Sequence, residues 1–382
     1  MAEIKNGDFQ EPEEPAGFGN GRKLVIAGGV TGGHLFPGVA IAQEFLRADS
    51  RNAVLFVSAG RPMERSILSK AGFEMRAIDV QGVKGRGRFN QLAALFKLPG
   101  AVWESTSILK QFKADLVLGV GGFAAGPVVL AARLRGIPCA LQEQNMLPGI
   151  TNRILSRWVG RIYVSFPESK DYFDPEKTLL TGNPVRRQIL DAAQKQKKDK
   201  AGIFTVLVLG GSQGAHAVNL AVVEALEFLK GMPVRFIHQT GAADHENTRR
   251  AYEDQGALNR VQAFFDDMGA LYEQADLVIC RAGATTVAEL AVMGKPAIFV
   301  PFPFAADDHQ TLNARSLVKA GAAEMIPERN LTGEILAGRM QYYYENPEIL
   351  AGMAAKAGQF GKPDAAAVIV ADCLRICSET GC

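Results

Sequence analysis

Short apolar runs alternate with longer mixed stretches along this chain, and several of the apolar runs end on glycine. Lys23-Leu24-Val25-Ile26-Ala27 passes into Gly28-Gly29. An unbroken apolar run of this length suits a parallel strand covered on both faces. The pattern predicts a helix over 37–46, a strand over 53–57 and a helix over 62–71 ended by Gly72. Strands over 116–120 and 139–142 continue the alternation. Repeated strand–helix units predict an open α/β sheet with right-handed crossovers.

The second half repeats the first in the same order. Thr205-Val206-Leu207-Val208-Leu209-Gly210-Gly211 echoes the opening strand and loop, and Ala275-Asp276-Leu277-Val278 echoes Ala114-Asp115-Leu116-Val117. Gly294-Lys295-Pro296-Ala297 likewise echoes Gly136-Ile137-Pro138-Cys139. The fold expected is therefore α/β, with two Rossmann-like doubly wound domains facing across a cleft. Residues 1–21 read as a disordered tail without the apolar core of a signal peptide. Residues 22–192 read as the first domain, 193–201 as a polar linker, 202–361 as the second domain, and 362–382 as a closing helix that packs back toward the first. Ligands in such sheets bind at the carboxyl ends of the strands. Facing sheets put the site between the domains.

Composition narrows the class. A chain of 382 residues is long for one core, and 47% hydrophobic with 21% charged residues is ordinary for a globular protein. A net charge of +2 and no basic stripe argue against nucleic acid as a partner. Five cysteines without metal-ligand spacing read as reduced thiols. The two long uncharged stretches, 116–132 and 201–223, each carry a glycine loop, so they read as strand, loop and helix rather than as membrane spans.

Three glycine-rich loops stand where a strand hands over to a helix: Gly28-Gly29-Val30-Thr31-Gly32-Gly33-His34, Gly119-Val120-Gly121-Gly122 and Gly210-Gly211-Ser212-Gln213-Gly214. Such loops present unpaired N–H groups and admit an anion, so they point to phosphate-bearing ligands. The second strand ends Val57-Ser58-Ala59-Gly60 without the carboxylate a dinucleotide site needs, and no P-loop Gly-Lys-Ser/Thr occurs. His34 follows the first loop in the first turn of its helix, where an imidazole can take a proton from a hydroxyl or hold a ligand. Glu289 lies early in the helix after Cys280-Arg281-Ala282-Gly283, placed to complement the helix dipole or to accept from a ribose diol. Asp307-Asp308-His309-Gln310 with Asn313 forms a polar cluster suited to sugar hydroxyls; the adjacent acids lack a spaced third ligand for a metal.

These segments, with Glu143-Gln144-Asn145 and Thr181-Gly182-Asn183-Pro184-Val185-Arg186, resemble the MurG family over nearly the whole chain from Arg22. Members of that family transfer N-acetylglucosamine from UDP-N-acetylglucosamine (UDP-GlcNAc) to lipid I, making lipid II for peptidoglycan. The resemblance implies the GT-B architecture, with the nucleotide sugar on the second domain and no cofactor or metal. It implies that Glu289 takes the ribose hydroxyls, that Ala284, Thr285, Thr286, Val287 and Ala288 lie along the donor, and that Phe265 to Met268 packs on uracil. Ser212 and Gln213 would meet the diphosphate, His309 and Gln310 the sugar, and Asn145 and Arg186 would reach the donor from the other side. Thr31, Gly32, Gly33 and His34 would lie near the reacting centre. The family often has histidine where this chain has Gln142, which leaves His34 and Glu143 as the proton-transfer candidates.

The implied chemistry is inverting. The 4-hydroxyl of the acceptor's N-acetylmuramyl sugar attacks the anomeric carbon, and loop amides stabilise the departing diphosphate. An undecaprenyl-linked acceptor requires an anionic membrane surface, and the resemblance implies a peripheral protein on the cytoplasmic face of the bacterial plasma membrane, with cell-wall and division proteins as further partners. Lys84, Arg86 and Arg88 precede Leu92, Leu95, Phe96 and Trp103, a pattern that fits an interfacial anchor or an ordinary amphipathic helix. Three rivals share the sequence features: transfer to a soluble acceptor, a UDP-sugar epimerase, and a binding module without catalysis.

Overall fold

The structure is a computed structural model that describes residues 21–29, 32–80, 88–195, 202–211 and 214–379; the side chains of 88–96, 258 and 306 fall outside that set. It contains two parallel sheets. The first comprises β1 (Lys23–Ala27), β2 (Ala53–Ser58), β3 (Glu74–Ala77), β4 (Leu116–Gly119), β5 (Cys139–Glu143), β6 (Arg161–Val164) and β7 (Thr178–Leu180), in the order β3-β2-β1-β4-β5-β6-β7. The second comprises β8 (Phe204–Leu209), β9 (Val234–Gln239), β10 (Leu258–Gln262), β11 (Leu277–Cys280), β12 (Ala297–Phe299) and β13 (Ala323–Met325), in the order β10-β9-β8-β11-β12-β13. In each sheet the order reverses beside the opening strand, where Val25 pairs with Val117 and Val208 with Ile279. A reversal of this kind opens a crevice at the carboxyl ends.

The unbroken apolar runs follow from burial on both sides. Successive strand residues point to opposite faces. Leu24 and Ile26 of β1 pack with Leu35, Ile41 and Phe45, while Val25 and Ala27 pack with Leu109 and Val128. In β8, Val206 and Val208 meet Val218 and Val222, and Leu207 and Leu209 meet Ile189, Met268 and Leu271.

One element boundary differs from the sequence expectation. The first helix, Gly32–Ala48, starts five residues before the expected position and runs through Pro37. The helix Arg187–Gln194 buries Ile189 and Ala192 in a core with Met268, Leu271 and Val287. Its apolar face, not the polar run after it, decides which lobe it joins. At the other end the helix Ala365–Glu379 packs Ile369, Val370, Cys373 and Cys377 into the first lobe's core. The two interlobe crossings touch. A Cβ on Gly182 would lie 2.5 Å from Cβ of Lys362, so this crossing needs glycine.

Candidate active site

The first lobe brings two glycine loops together around His34. Gly29 N–H donates to Gly121 O at 3.1 Å, and a Cβ on Gly28, whose φ is +123°, would stand 2.0 Å from that oxygen. Gly121 itself leaves room for the imidazole, since its Cβ would meet His34 Cδ2 at 2.8 Å. Burial first, and the positive potential of His309 second, push the His34 imidazole down to about 4. It is therefore neutral at pH 7. His309 belongs to the other lobe, so both lobes contribute to this corner of the cleft.

Pro37 has a specific consequence here. It has no N–H, so the carbonyl four residues back, Gly33 O, loses its helical donor. Thr285 Oγ1 donates to Gly33 O from across the cleft at 3.0 Å. A helix that breaks its own ladder thus offers an acceptor to the opposite lobe, at the residue next to His34.

Glu143 is buried at the end of β5, and both its oxygens are engaged. Oε1 accepts from Asn145 N–H at 2.9 Å, and Oε2 accepts from Gly149 N–H at 3.0 Å and Asn152 Nδ2 at 2.9 Å. Desolvation raises its pKa, against those hydrogen bonds. The carboxylate folds the loop that carries Asn145. Asn145 Oδ1 accepts from Asn313 Nδ2 at 3.2 Å, and Met146 N–H donates to Asn313 Oδ1 at 3.0 Å, so this loop also spans the cleft. Gln142 turns away and donates to Asn183 Oδ1 at 3.2 Å, near the crossing.

On the second lobe Glu289 is 4% exposed. Its Oε1 pairs with Arg186 Nη2 at 2.9 Å, and its Oε2 accepts from Tyr272 OH at 3.0 Å. The Arg186 guanidinium stacks on Phe36 of the first lobe at 4.1 Å from the ring centroid. Tyr272 and Phe36 were not singled out by the sequence. Phe36 lies two residues after His34, whereas nothing in the local pattern distinguishes Tyr272 from core.

The remaining expected residues separate into four groups. Gln310 Oε1 accepts from Phe302 N–H at 3.0 Å and His309 opens its helix behind Asp307 and Asp308, whose φ values of 54° and 52° are unusual for non-glycine residues. Phe265 and Met268 bury their side chains in the core. Ala284, Val287 and Ala288 share one face of the helix Ala284–Met293 and line a cavity of about 350 Å³ between the two crossings, while Glu289 points elsewhere. Thr286 is half-buried on the same helix. Thr31, Ser212, Gln213, Lys84 and Arg86 lie outside the described residues, as do the side chains of Arg88, Leu92, Leu95 and Phe96.

The histidines give the fold a pH signature. His238 is buried between Tyr252 OH (3.1 Å) and Asn219 Oδ1 (3.0 Å), and burial pushes it down to about 3. Both His34 and His238 are neutral in the fold and charge first in the unfolded chain. Their stabilising contribution is complete above about pH 6.5 and is lost as pH falls toward 4 and 3. Thermal melts are expected to drop over pH 6.5–4, and His238→Gln is expected to flatten that slope; an unchanged slope would remove His238 from the account.

Comparison with known proteins gives a consistent picture. Residues 24–164 match the glycosyltransferase family 28 N-terminal domain, and 205–369 match the family 28 C-terminal domain. A protein of Syntrophus aciditrophicus is 50% identical over 355 residues, 92% of this chain and 98% of its own length. It is named UDP-N-acetylglucosamine–N-acetylmuramyl-(pentapeptide) pyrophosphoryl-undecaprenol N-acetylglucosamine transferase. The crystal structure of Acinetobacter baumannii MurG superposes with a TM-score of 0.73 at 34% identity, covering 93% of this chain and 99% of that one. A UDP-GlcNAc 2-epimerase from Neisseria meningitidis, bound to UDP-GlcNAc, gives a TM-score of 0.65 at 16% identity over 93% of this chain and 100% of that one, a likeness of fold alone.

Proposed function

The chain belongs to glycosyltransferase family 28, and from that premise we propose that it transfers N-acetylglucosamine from UDP-GlcNAc to lipid I, giving lipid II for peptidoglycan synthesis. The observation that carries the site assignment is the joining of the lobes: Thr285 and Gly33, Asn313 and Asn145, and Arg186 and Phe36 all meet across one cleft. A neutral imidazole stands on one side and a buried carboxylate on the other. That division of labour suits an acceptor hydroxyl meeting a nucleotide sugar.

In this reading the 4-hydroxyl of the N-acetylmuramyl sugar attacks the anomeric carbon from the face opposite UDP. The new C–O bond forms as the bond to the diphosphate oxygen breaks, and His34 takes the hydroxyl proton. The start of the helix His216–Phe228, just past Gly214, faces the charge gained by UDP. Glu143 holds the Asn145 loop; its oxygens are already accepting from that loop. Glu289 takes the ribose diol.

The test is incubation of the purified protein with UDP-GlcNAc and a lipid I analogue, followed by mass spectrometry. One added N-acetylhexosamine on the analogue is the expected result. Donor consumed without acceptor, with an isomeric sugar nucleotide as product, would favour the epimerase instead.

The acceptor's lipid places the enzyme at a membrane surface. No described helix is long and apolar enough to cross a membrane. Trp103 is 77% exposed and Leu134 71% exposed, on the packed helices Arg88–Phe112 and Ala125–Leu134. Ile150, Ile154 and Trp158 are exposed beyond them, interleaved with Arg153 and Arg157. Apolar groups between arginines suit an anionic interface, each arginine adding about 1 kcal/mol near the surface. Trp103→Ser combined with Trp158→Ser is expected to cut pelleting with phosphatidylglycerol vesicles severalfold at unchanged activity on a soluble acceptor analogue. Pelleting equal to wild type would move the contact elsewhere.

A further inference from the structure

The donor reading assigns two separate loops to the nucleotide: the glycine loop after β8 for the diphosphate, and the stretch after β10 for uracil. β9 lies between those strands and ends at Gln239, which is buried. Gln239 Nε2–H donates to Gly211 O at 3.2 Å, and its Oε1 accepts from Phe265 N–H at 3.0 Å. Its own carbonyl accepts from Gly210 N–H at 3.0 Å. The wedge continues with Thr240 N–H to Gln262 O at 3.1 Å and Gly241 N–H to Ala263 O at 3.0 Å. A Cβ on Gly214 would lie 2.5 Å from Thr240 O, so the loop packs directly on this strand end.

We infer that Gln239 is a positioning residue that couples recognition of the two ends of the nucleoside diphosphate. One planar amide sets the spacing between the carbonyl at 211 and the N–H at 265. The orientation is forced, because a backbone carbonyl only accepts and a backbone N–H only donates. Only glutamine supplies the donor and the acceptor at this reach. Glutamate keeps the acceptor for Phe265 but opposes Gly211 O with a second acceptor. Leucine keeps much of the volume and neither bond. This inference rests on the donor reading above and adds a residue that would touch neither the sugar nor the reacting atoms.

Calorimetry with uridine and with UDP, on the full chain, separates the ends. For Gln239→Glu, uridine affinity is expected to stay within about twofold while UDP affinity falls about tenfold or more, the loss of a buried hydrogen bond and its geometry. Gln239→Leu, which adds no charge, is expected to weaken both ligands, UDP more than uridine. The KM for UDP-GlcNAc should rise with the loss in UDP affinity while kcat stays within about threefold. Equal loss of uridine and UDP in both variants, in step with a lowered Tm, would reduce Gln239 to a structural residue and overturn the coupling. So would unchanged affinity for both ligands. A wild-type protein that binds neither ligand would instead overturn the donor reading itself.

Discussion

His34→Ala is expected to lower kcat by about 10²–10⁴-fold, the usual contribution of a positioned general base, with KM for UDP-GlcNAc held within about threefold. The ring lies against Gly121, one residue from the Gly33–Thr285 bridge, on the lobe opposite Glu289. Removing it deletes a proton acceptor without deleting a donor contact. The pH profile adds a second readout. A base must be deprotonated, and His34 is pushed down to about 4, so kcat/KM should rise through about pH 4 and stay flat from about pH 5 to neutrality. An acid limb near the ordinary histidine value, or a flat kcat in the alanine variant, would take proton transfer away from this residue. Glu143→Ala provides the contrast. It leaves Asn145, Gly149 and Asn152 without their acceptor, so turnover and Tm should fall together.

Why the sheets were legible and parts of the site were not comes down to range. Doubly covered strands write themselves as continuous apolar runs, and both glycine echoes mark strand ends, so two facing Rossmann-like lobes follow from local sequence. His34 is likewise in the first turn of a helix that glycine announces, whereas Glu289 is the sixth residue of its helix, past the first turn, so its place came from the family resemblance and not from a helix-start signal. The polar residues after Gln194 are conspicuous in sequence, whereas burial of Ile189 and Ala192 depends on helices more than 70 residues away. The Glu143 hydrogen bonds could not be anticipated either, since they depend on how residues 145–152 turn back. Gln239 gave no signal at all: a glutamine after a strand is ordinary until its two partners, Gly211 and Phe265, are brought to either side. Pro37 reads as the first residue of its helix in sequence; only the opposite lobe reveals what the carbonyl it vacates accepts.

Glu289→Gln is expected to raise the KM for UDP-GlcNAc by about 10–100-fold, from the loss of one or two hydrogen bonds to a charged acceptor. It should also erase the preference for UDP over 2′-deoxy-UDP in binding. A carboxylate accepts from both hydroxyls of a ribose diol, whereas an amide accepts at one atom and presents N–H at the other. The resting site has its own use for this charge, since Arg186 and Tyr272 both bond to it. Arg186→Ala would strand a carboxylate that is 4% exposed, at a cost of about 3–5 kcal/mol if it stays ionised. The double variant Arg186→Ala with Glu289→Gln removes the stranded charge. It should regain much of the Tm lost in Arg186→Ala yet bind UDP-GlcNAc no better than Glu289→Gln, because stability depends on the pairing and recognition depends on the carboxylate. If the double variant recovers donor KM along with Tm, Glu289 serves the fold, and the ribose is held by another residue.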